Sequence, residues 1–128
     1  MFSASQTKAY NPKIKYIILP TKVSDKQGKA FIDCGCSFNA ITVEYAERCN
    51  IPFTKYEDDL VCVIGDGNKM TLQRRVARVK FEIENLGIID TYVFVMDKLP
   101  LDCDVLFGMD FLSNVNPKIN WKSGKLSG

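Results

Sequence analysis

Apolar residues fall along this chain in short runs broken by Gly, Pro, Asn and Asp, the pattern of a protein built from strands. Ile14-Lys15-Tyr16-Ile17-Ile18-Leu19 is rich in β-formers, Ser24-Asp25-Lys26-Gln27-Gly28 supplies turn chemistry, and Lys29-Ala30-Phe31-Ile32 resumes an apolar strand. This first hairpin delivers Asp33 at its end. Leu60-Val61-Cys62-Val63-Ile64 predicts another strand, and Gly65-Asp66-Gly67-Asn68 a second, polar hairpin tip, because both glycines tolerate positive φ. Val79, Phe81 and Ile83 alternate with Lys80, Glu82 and Glu84, and Ile88 to Met96 adds a long strand. Cys103 to Gly108 is a short strand that ends on glycine, and Lys118-Ile119-Asn120-Trp121 is the last.

Two interruptions read as short helices. Thr42 can cap one, with Glu44 near its positive end, Ala46 inside it, and Asn50 followed by Pro52 to stop it. Asp110 can cap the other, Phe111 to Val115, which Asn116-Pro117 terminates. Residues 1–13 read as a loose arm, 14–124 as one folded domain and 125–128 as a Gly-Ser-rich tail. The expected fold is mainly β, a closed barrel-like domain with one or two short helices.

Composition narrows the chemistry. With 128 residues, 46% of them apolar, the chain fits one domain with a sizeable core. Seventeen basic residues against 15 acidic ones give a net charge of +2, which makes no case for nucleic acid or an anionic membrane as partner. The densest basic run, Arg74 to Lys80, alternates with apolar residues as the wet face of a strand does. No window approaches the ~18 apolar residues of a membrane span, and residues 1–20 lack a signal-peptide pattern, so a soluble intracellular protein is expected. Five cysteines, an odd count, favour reduced thiols. Histidine is absent, which removes Ser-His and Cys-His nucleophiles and imidazole zinc ligands. Acid–base work near neutral pH is left to carboxylates, Lys, Tyr or Cys.

Phe31-Ile32-Asp33-Cys34-Gly35-Cys36-Ser37 places a carboxylate at the end of an apolar strand, and Asp is rarely buried there unless paired. Gly35 lets backbone N–H groups approach that carboxylate, and a carboxylate so held keeps its charge at low pH. Asp-x-Gly also arises wherever an Asp merely begins a turn, so the tripeptide alone leaves a reactive and a structural Asp33 both open. Cys34-x-Cys36 does not make a zinc site, since Cys49, Cys62 and Cys103 contain no second close pair. Asp104 and Asp110 fit turn and capping roles better than a glycosidase pair. Met70, Met96 and Met109 share no spacing and are expected in the core.

The residues around Asp33 resemble the active-site motif of retropepsin-like aspartic proteases, which run Asp, Thr or Ser, Gly, Ala or Ser, then often Thr or Ser. An independent stretch, Cys103 to Leu112 followed by Asn116-Pro117-Lys118-Ile119-Asn120-Trp121, is similar to the Gly-Met-Asp-Trp-Leu and Asn-Pro-x-Ile-Asp-Trp endings of proteases from gypsy-type retrotransposons. Val63-Ile64-Gly65-Asp66-Gly67 is similar to that branch's flap. The resemblance covers residues 14 to 124 in order and spacing. It implies an aspartic endopeptidase without metal or cofactor, whose catalytic residue is Asp33 in the loop Cys34, Gly35, Cys36 and Ser37. Ile64, Gly65, Asp66 and Gly67 would form the flap over an extended peptide or polyprotein substrate, with Gly108 and Asp110 as structural residues near the site. One Asp-x-Gly per chain implies a homodimer with its site on the two-fold axis. An alternative is a related module, catalytically inactive, that dimerises or binds peptide.

Departures from the family pattern sit beside Asp33. Cys34 replaces the hydroxyl that in the family locks the two active-site loops together, and a thiol is a weaker donor. Cys36 stands in place of a small Ala or Ser and can fill the same space. Ser37 and Met109 occupy positions where retroviral enzymes often carry an Asp–Arg pair. Trp121, the single tryptophan, is expected to pack near the end of the domain or at the dimer contact.

Overall fold

The computed structural model describes residues 16–63 and 67–128. The expected arm at residues 1–13 lies outside them, as do Ile14 and Lys15, where the first strand was expected to begin. Ser24 and Asp25 take φ of 50° and 65°, the left-handed backbone that a two-residue hairpin loop demands. They join β1 (Ile17–Val23) to β2 (Lys26–Ile32), paired antiparallel from Val23↔Lys26 to Ile17↔Ile32. The turn is shorter than the Ser24–Gly28 stretch expected, and Gly28 has a different job. It pairs with Thr21, and a Cβ there would stand 2.7 Å from Cζ of Tyr45. Only glycine lets that ring lie against the strand, and the Tyr45 hydroxyl donates to the Lys26 carbonyl at 2.7 Å.

β3 (Ala40–Thr42) runs straight into α1 (Val43–Arg48), whose first turn is capped as expected: Tyr45 N donates to Thr42 Oγ1 at 3.1 Å. β4 (Thr54–Val63) starts six residues before the apolar run that signals it. Lys55, Tyr56, Glu57, Asp58 and Asp59 are all exposed, so no alternation marks them as a strand. Pairing with β5 (Lys69–Ile83) holds them extended, across a register shift between Lys55 and Asp59. β5 turns into β6 (Gly87–Met96) through Asn85 and Gly87, both at positive φ. Arg78 and Lys80 of β5 face solvent while Ala77 and Val79 are buried, as expected of a wet face, but Arg74 and Arg75 at the start of that run are half-buried.

β7 (Val105–Phe107) follows a 3₁₀ turn at Pro100–Asp102 and leads into α2 (Met109–Val115), β8 (Lys118–Asn120) and β9 (Lys125–Ser127). The strands run in the order β1-β2-β7-β3-β6-β5, and β5 returns to β1 through Thr21↔Ile83 and Lys22↔Glu82, which closes a six-stranded barrel. β4 extends the sheet beyond β5. The fold is therefore mainly β, a closed barrel with two short helices.

Two apolar clusters hold it. The barrel interior takes Ile32, Ile41, Val79, Phe81, Val93, Val95, Val105 and Phe107; Phe107 stacks on Phe111 with ring centroids 4.2 Å apart and meets Phe81 edge-on. A second cluster, Phe31, Ala40, Leu99, Cys103 and Leu106, lies on the other face of β2 and β7, with Cys36, Phe38 and Met96 packed against it. Burial on both faces explains why Ala30-Phe31-Ile32 and Val105-Leu106-Phe107 are unbroken apolar runs, as in parallel strands generally; β2 and β7 pair parallel.

Two expectations are corrected. Met109 is 44% exposed rather than packed in the core, while Trp121, expected near the end of the domain or at the dimer contact, is 60% exposed on this chain. The Met70 side chain lies outside what is described. Lys125–Ser127 is a strand whose Leu126 is buried, because Ile119↔Leu126 pairing turns one face of the β8–β9 hairpin to the barrel.

Candidate active site

Asp33 is the first residue beyond β2, on a loop that passes over the end of β7 to reach β3, since β7 lies between those two strands. Its backbone N–H continues the ladder by donating to the Phe107 carbonyl at 3.0 Å. Its Oδ1 accepts from Gly35 N at 3.0 Å, and its carbonyl from Cys36 N at 3.2 Å, which folds the chain into a tight turn around the carboxylate. A Cβ on Gly35 would stand 3.2 Å from that oxygen, so glycine keeps the approach open. Asp33 is half-buried, and among the described residues no cation pairs with it.

The rest of the loop is bolted to α2. A helix leaves its first N–H groups without partners inside itself, and here the Asp33 loop supplies them all. Met109 N donates to Cys36 O at 2.7 Å and Asp110 N to Ser37 O at 3.1 Å. Gly108 N and Phe111 N both donate to Asn39 Oδ1, at 3.1 and 3.2 Å. Asp110 does not cap α2, contrary to expectation. The helix begins at Met109, and Asn39 has taken the capping role from across the fold, which frees the Asp110 carboxylate. Its Oδ2 accepts from Asn39 Nδ2 at 2.9 Å and its Oδ1 from Asn114 Nδ2 at 3.1 Å. Asn39 was missed by the sequence reading. Its one signal is an amide set inside the run Phe38-Asn39-Ala40-Ile41, where it is 2% exposed.

The other candidate residues fall as follows. Cys34 is exposed; Cys36 is half-buried against the second apolar cluster, with Sγ 3.5 Å from the Phe38 carbonyl it donates to. Ser37 is exposed. Gly108 is buried directly under the loop. Ile64, Gly65 and Asp66 lie outside the described residues, and Gly67 beside them is exposed with φ of 85°. Asp104, expected in a turn or capping role, instead stitches distant segments together: its Oδ2 accepts from Lys29 N at 2.9 Å and its carbonyl from Thr42 N at 3.0 Å. Burial pushes the Cys103 thiol up from its ordinary value, opposed in part by Lys29, so the thiol beneath the loop keeps its proton.

Beside the loop a groove of about 610 Å³ runs onto β4, β5 and β6. Ser37, Phe38, Tyr56, Arg74, Tyr92 and Asp110 line it. Arg74 closes one wall, its guanidinium 4.1 Å from the Tyr56 ring centroid and bonded to Asp58 at 2.8 Å. The arrangement sets an open groove beside the far end of a loop whose Asp33 carboxylate is held by Gly35 N–H.

A barrel with one loop-borne Asp-x-Gly between β2 and β3 is the fold of retroviral proteases. The retroviral protease-like domain of Ddi1 from Leishmania major matches with a TM-score of 0.63 at 18% identity, over 89% of this chain and 87% of that one. The EIAV protease, complexed with the inhibitor HBY-793, matches with a TM-score of 0.62 at 18% identity, over 88% of this chain and 99% of that one. Residues 29–128 match the model of the PEG10/RTL1 protease domain, and the chain belongs to that family, a retropepsin-like family derived from gypsy retrotransposons. No curated protein sequence matches the chain significantly.

Proposed function

We propose that this domain is an aspartic endopeptidase that acts as a symmetric homodimer, with one Asp33 from each copy flanking the scissile peptide bond. The observation that carries this reading is the built state of the Asp33 loop. Its carboxylate is oriented by Gly35 N–H, and its far end is fixed through Cys36, Ser37 and Asn39 to the first turn of α2. A turn of no consequence would not need each of its segments held.

Two carboxylates brought together on a two-fold axis cannot both ionise easily, so they share one proton and titrate as a pair. The ionised Asp33 takes a proton from a bound water, which attacks the peptide carbonyl while the protonated copy donates a hydrogen bond to the carbonyl oxygen. The pair then delivers a proton to the leaving nitrogen. Ile64, Gly65, Asp66 and Gly67 cover the substrate as a flap and exclude water. The substrate binds extended, its backbone read by the flap and the Gly35 segment and its side chains by the groove at Tyr56, Arg74 and Tyr92. A retrotransposon-derived family supports a polyprotein as that substrate.

A second reading, an inactive dimerising or peptide-binding module, draws on one observation: Cys34, where the family has a hydroxyl, is an exposed thiol. Incubating a broad peptide library with wild type and Asp33→Ala, while sizing both across protein concentration, separates the two. The endopeptidase reading expects cleavage by wild type alone, rising faster than linearly with protein concentration. Cleavage by neither protein, with wild type dimeric, leaves the module.

A further inference from the structure

We infer that Asn39 is the positioning residue of the Asp33 loop, acting on the carboxylate through β7 and α2 without touching substrate; the inference rests on the endopeptidase reading above. Asp33 opens the loop and Asn39 closes it, and the two ends are tied to consecutive residues: Asp33 N donates to Phe107 O, and Asn39 Oδ1 accepts from Gly108 N. The loop is thereby drawn into a ring whose closing bond is a side chain. The Asn39 carbonyl accepts from Phe94 N at 3.0 Å, so the same residue also pins the ring to β6, where Phe38 meets Phe94 edge-on at 5.5 Å.

The chemistry of this position selects an amide. One oxygen must accept two helix N–H groups, and the other arm must donate to the Asp110 carboxylate. Leucine fills the volume but leaves the Gly108 and Phe111 N–H groups without their acceptor and Asp110 Oδ2 without its donor. Aspartate accepts the helix N–H groups but turns a second carboxylate toward Asp110 at hydrogen-bond distance. Exchanging the two residues restores one donor facing one acceptor, since Asn at 110 can donate to Asp at 39 and still accept from Asn114. At 2% exposure, water is a poor substitute for any lost bond.

The test uses four proteins: wild type, Asn39→Leu, Asn39→Asp, and the exchange Asn39→Asp with Asp110→Asn. Peptide cleavage is measured alongside hydrogen exchange of the Gly108 and Phe111 amides. A loop that drifts by about 1 Å costs on the order of a hundredfold in kcat. That loss is expected for both single variants with KM changed less than about threefold, and the exchange should return kcat to within about threefold of wild type. Gly108 and Phe111 should be protected in wild type and in the exchange and unprotected in Asn39→Leu. Wild-type kcat in either single variant overturns the inference, and so does an exchange that folds, as judged by its unfolding transition, yet regains neither rate nor amide protection. If wild type cleaves no peptide, the endopeptidase reading fails by itself. The amide protection then decides the clamp: equal protection in wild type and Asn39→Leu overturns it.

Discussion

Gly108 passes so close beneath Phe38 that a Cβ on it would stand 2.3 Å from the Phe38 carbonyl oxygen and 2.6 Å from that of Cys36. Both atoms belong to the backbone of the Asp33 loop and cannot rotate away. Gly108→Ala must therefore push the loop off α2 or shift β7, and overpacking of this kind costs about 1–3 kcal/mol. For a domain of this size we expect a fall in melting temperature of roughly 5–10 °C, together with loss of cleavage. Thermal unfolding followed by circular dichroism checks the first; a change under about 2 °C would contradict the contact.

The alternating end of β5, Val79–Ile83, the apolar run of β6, and the Asp33 and Gly108 segments were legible because burial on one or both faces writes itself into the residue pattern. Thr54–Asp59 was not, since a polar strand exposed on both sides carries no period and is held extended by its neighbour alone. Asp110 looked like a cap because Asp usually is one; only the fold could bring Asn39, 71 residues away in sequence, to take its place. Gly28 looked like a turn residue for the same reason, and the ring that needs it comes from Tyr45.

The C-terminal hairpin shows how a tail can belong to the core. Leu126 is 4% exposed and belongs to the barrel cluster, opposite Ile119. Leu126→Ala removes buried methyl groups and leaves a cavity, which costs about 2–4 kcal/mol. Urea unfolding should show that loss as a lower midpoint with an unchanged slope. A midpoint equal to wild type would mean that the hairpin lies loosely on the barrel.

Stability should fall on the alkaline side. Burial raises the Tyr45 hydroxyl and the Cys49 thiol above their ordinary values of 10.0 and 9.0, with Cys49 adding to the shift of Tyr45. A folded-state pKa above the unfolded one means that the folded state holds its proton where the unfolded chain has already released it. The stabilisation is complete below pH ~9 and is lost as pH rises through that value and beyond, by at most about 1.4 kcal/mol per pH unit for each group. Chemical denaturation at intervals from pH 7.5 to 10.5 measures it, and Cys49→Ala should flatten the earlier part of the decline. A wild-type midpoint that is level across this range would contradict the burial of these groups.

Cys34 is the residue at which the proposed dimer can be tuned. Exposed beside Asp33 and expected near the two-fold axis, it offers a weak donor where a hydroxyl would make a firmer bond between the loops. A hydrogen bond of that kind contributes about 0.5–1.5 kcal/mol net, so Cys34→Thr should tighten self-association by up to about tenfold, as read by sedimentation equilibrium. The same proximity exposes the wild type to oxidation. Diamide would take two electrons and two protons from a pair of Cys34 thiols, being reduced to its hydrazine, and leave a disulfide across the axis beside both Asp33 side chains. Peptide cleavage should then fall at least tenfold and return on treatment with dithiothreitol, while Cys34→Ser stays active throughout. Activity that is indifferent to diamide in wild type, or lost equally in Cys34→Ser, would remove Cys34 from the dimer axis and leave it a surface thiol without consequence for the site.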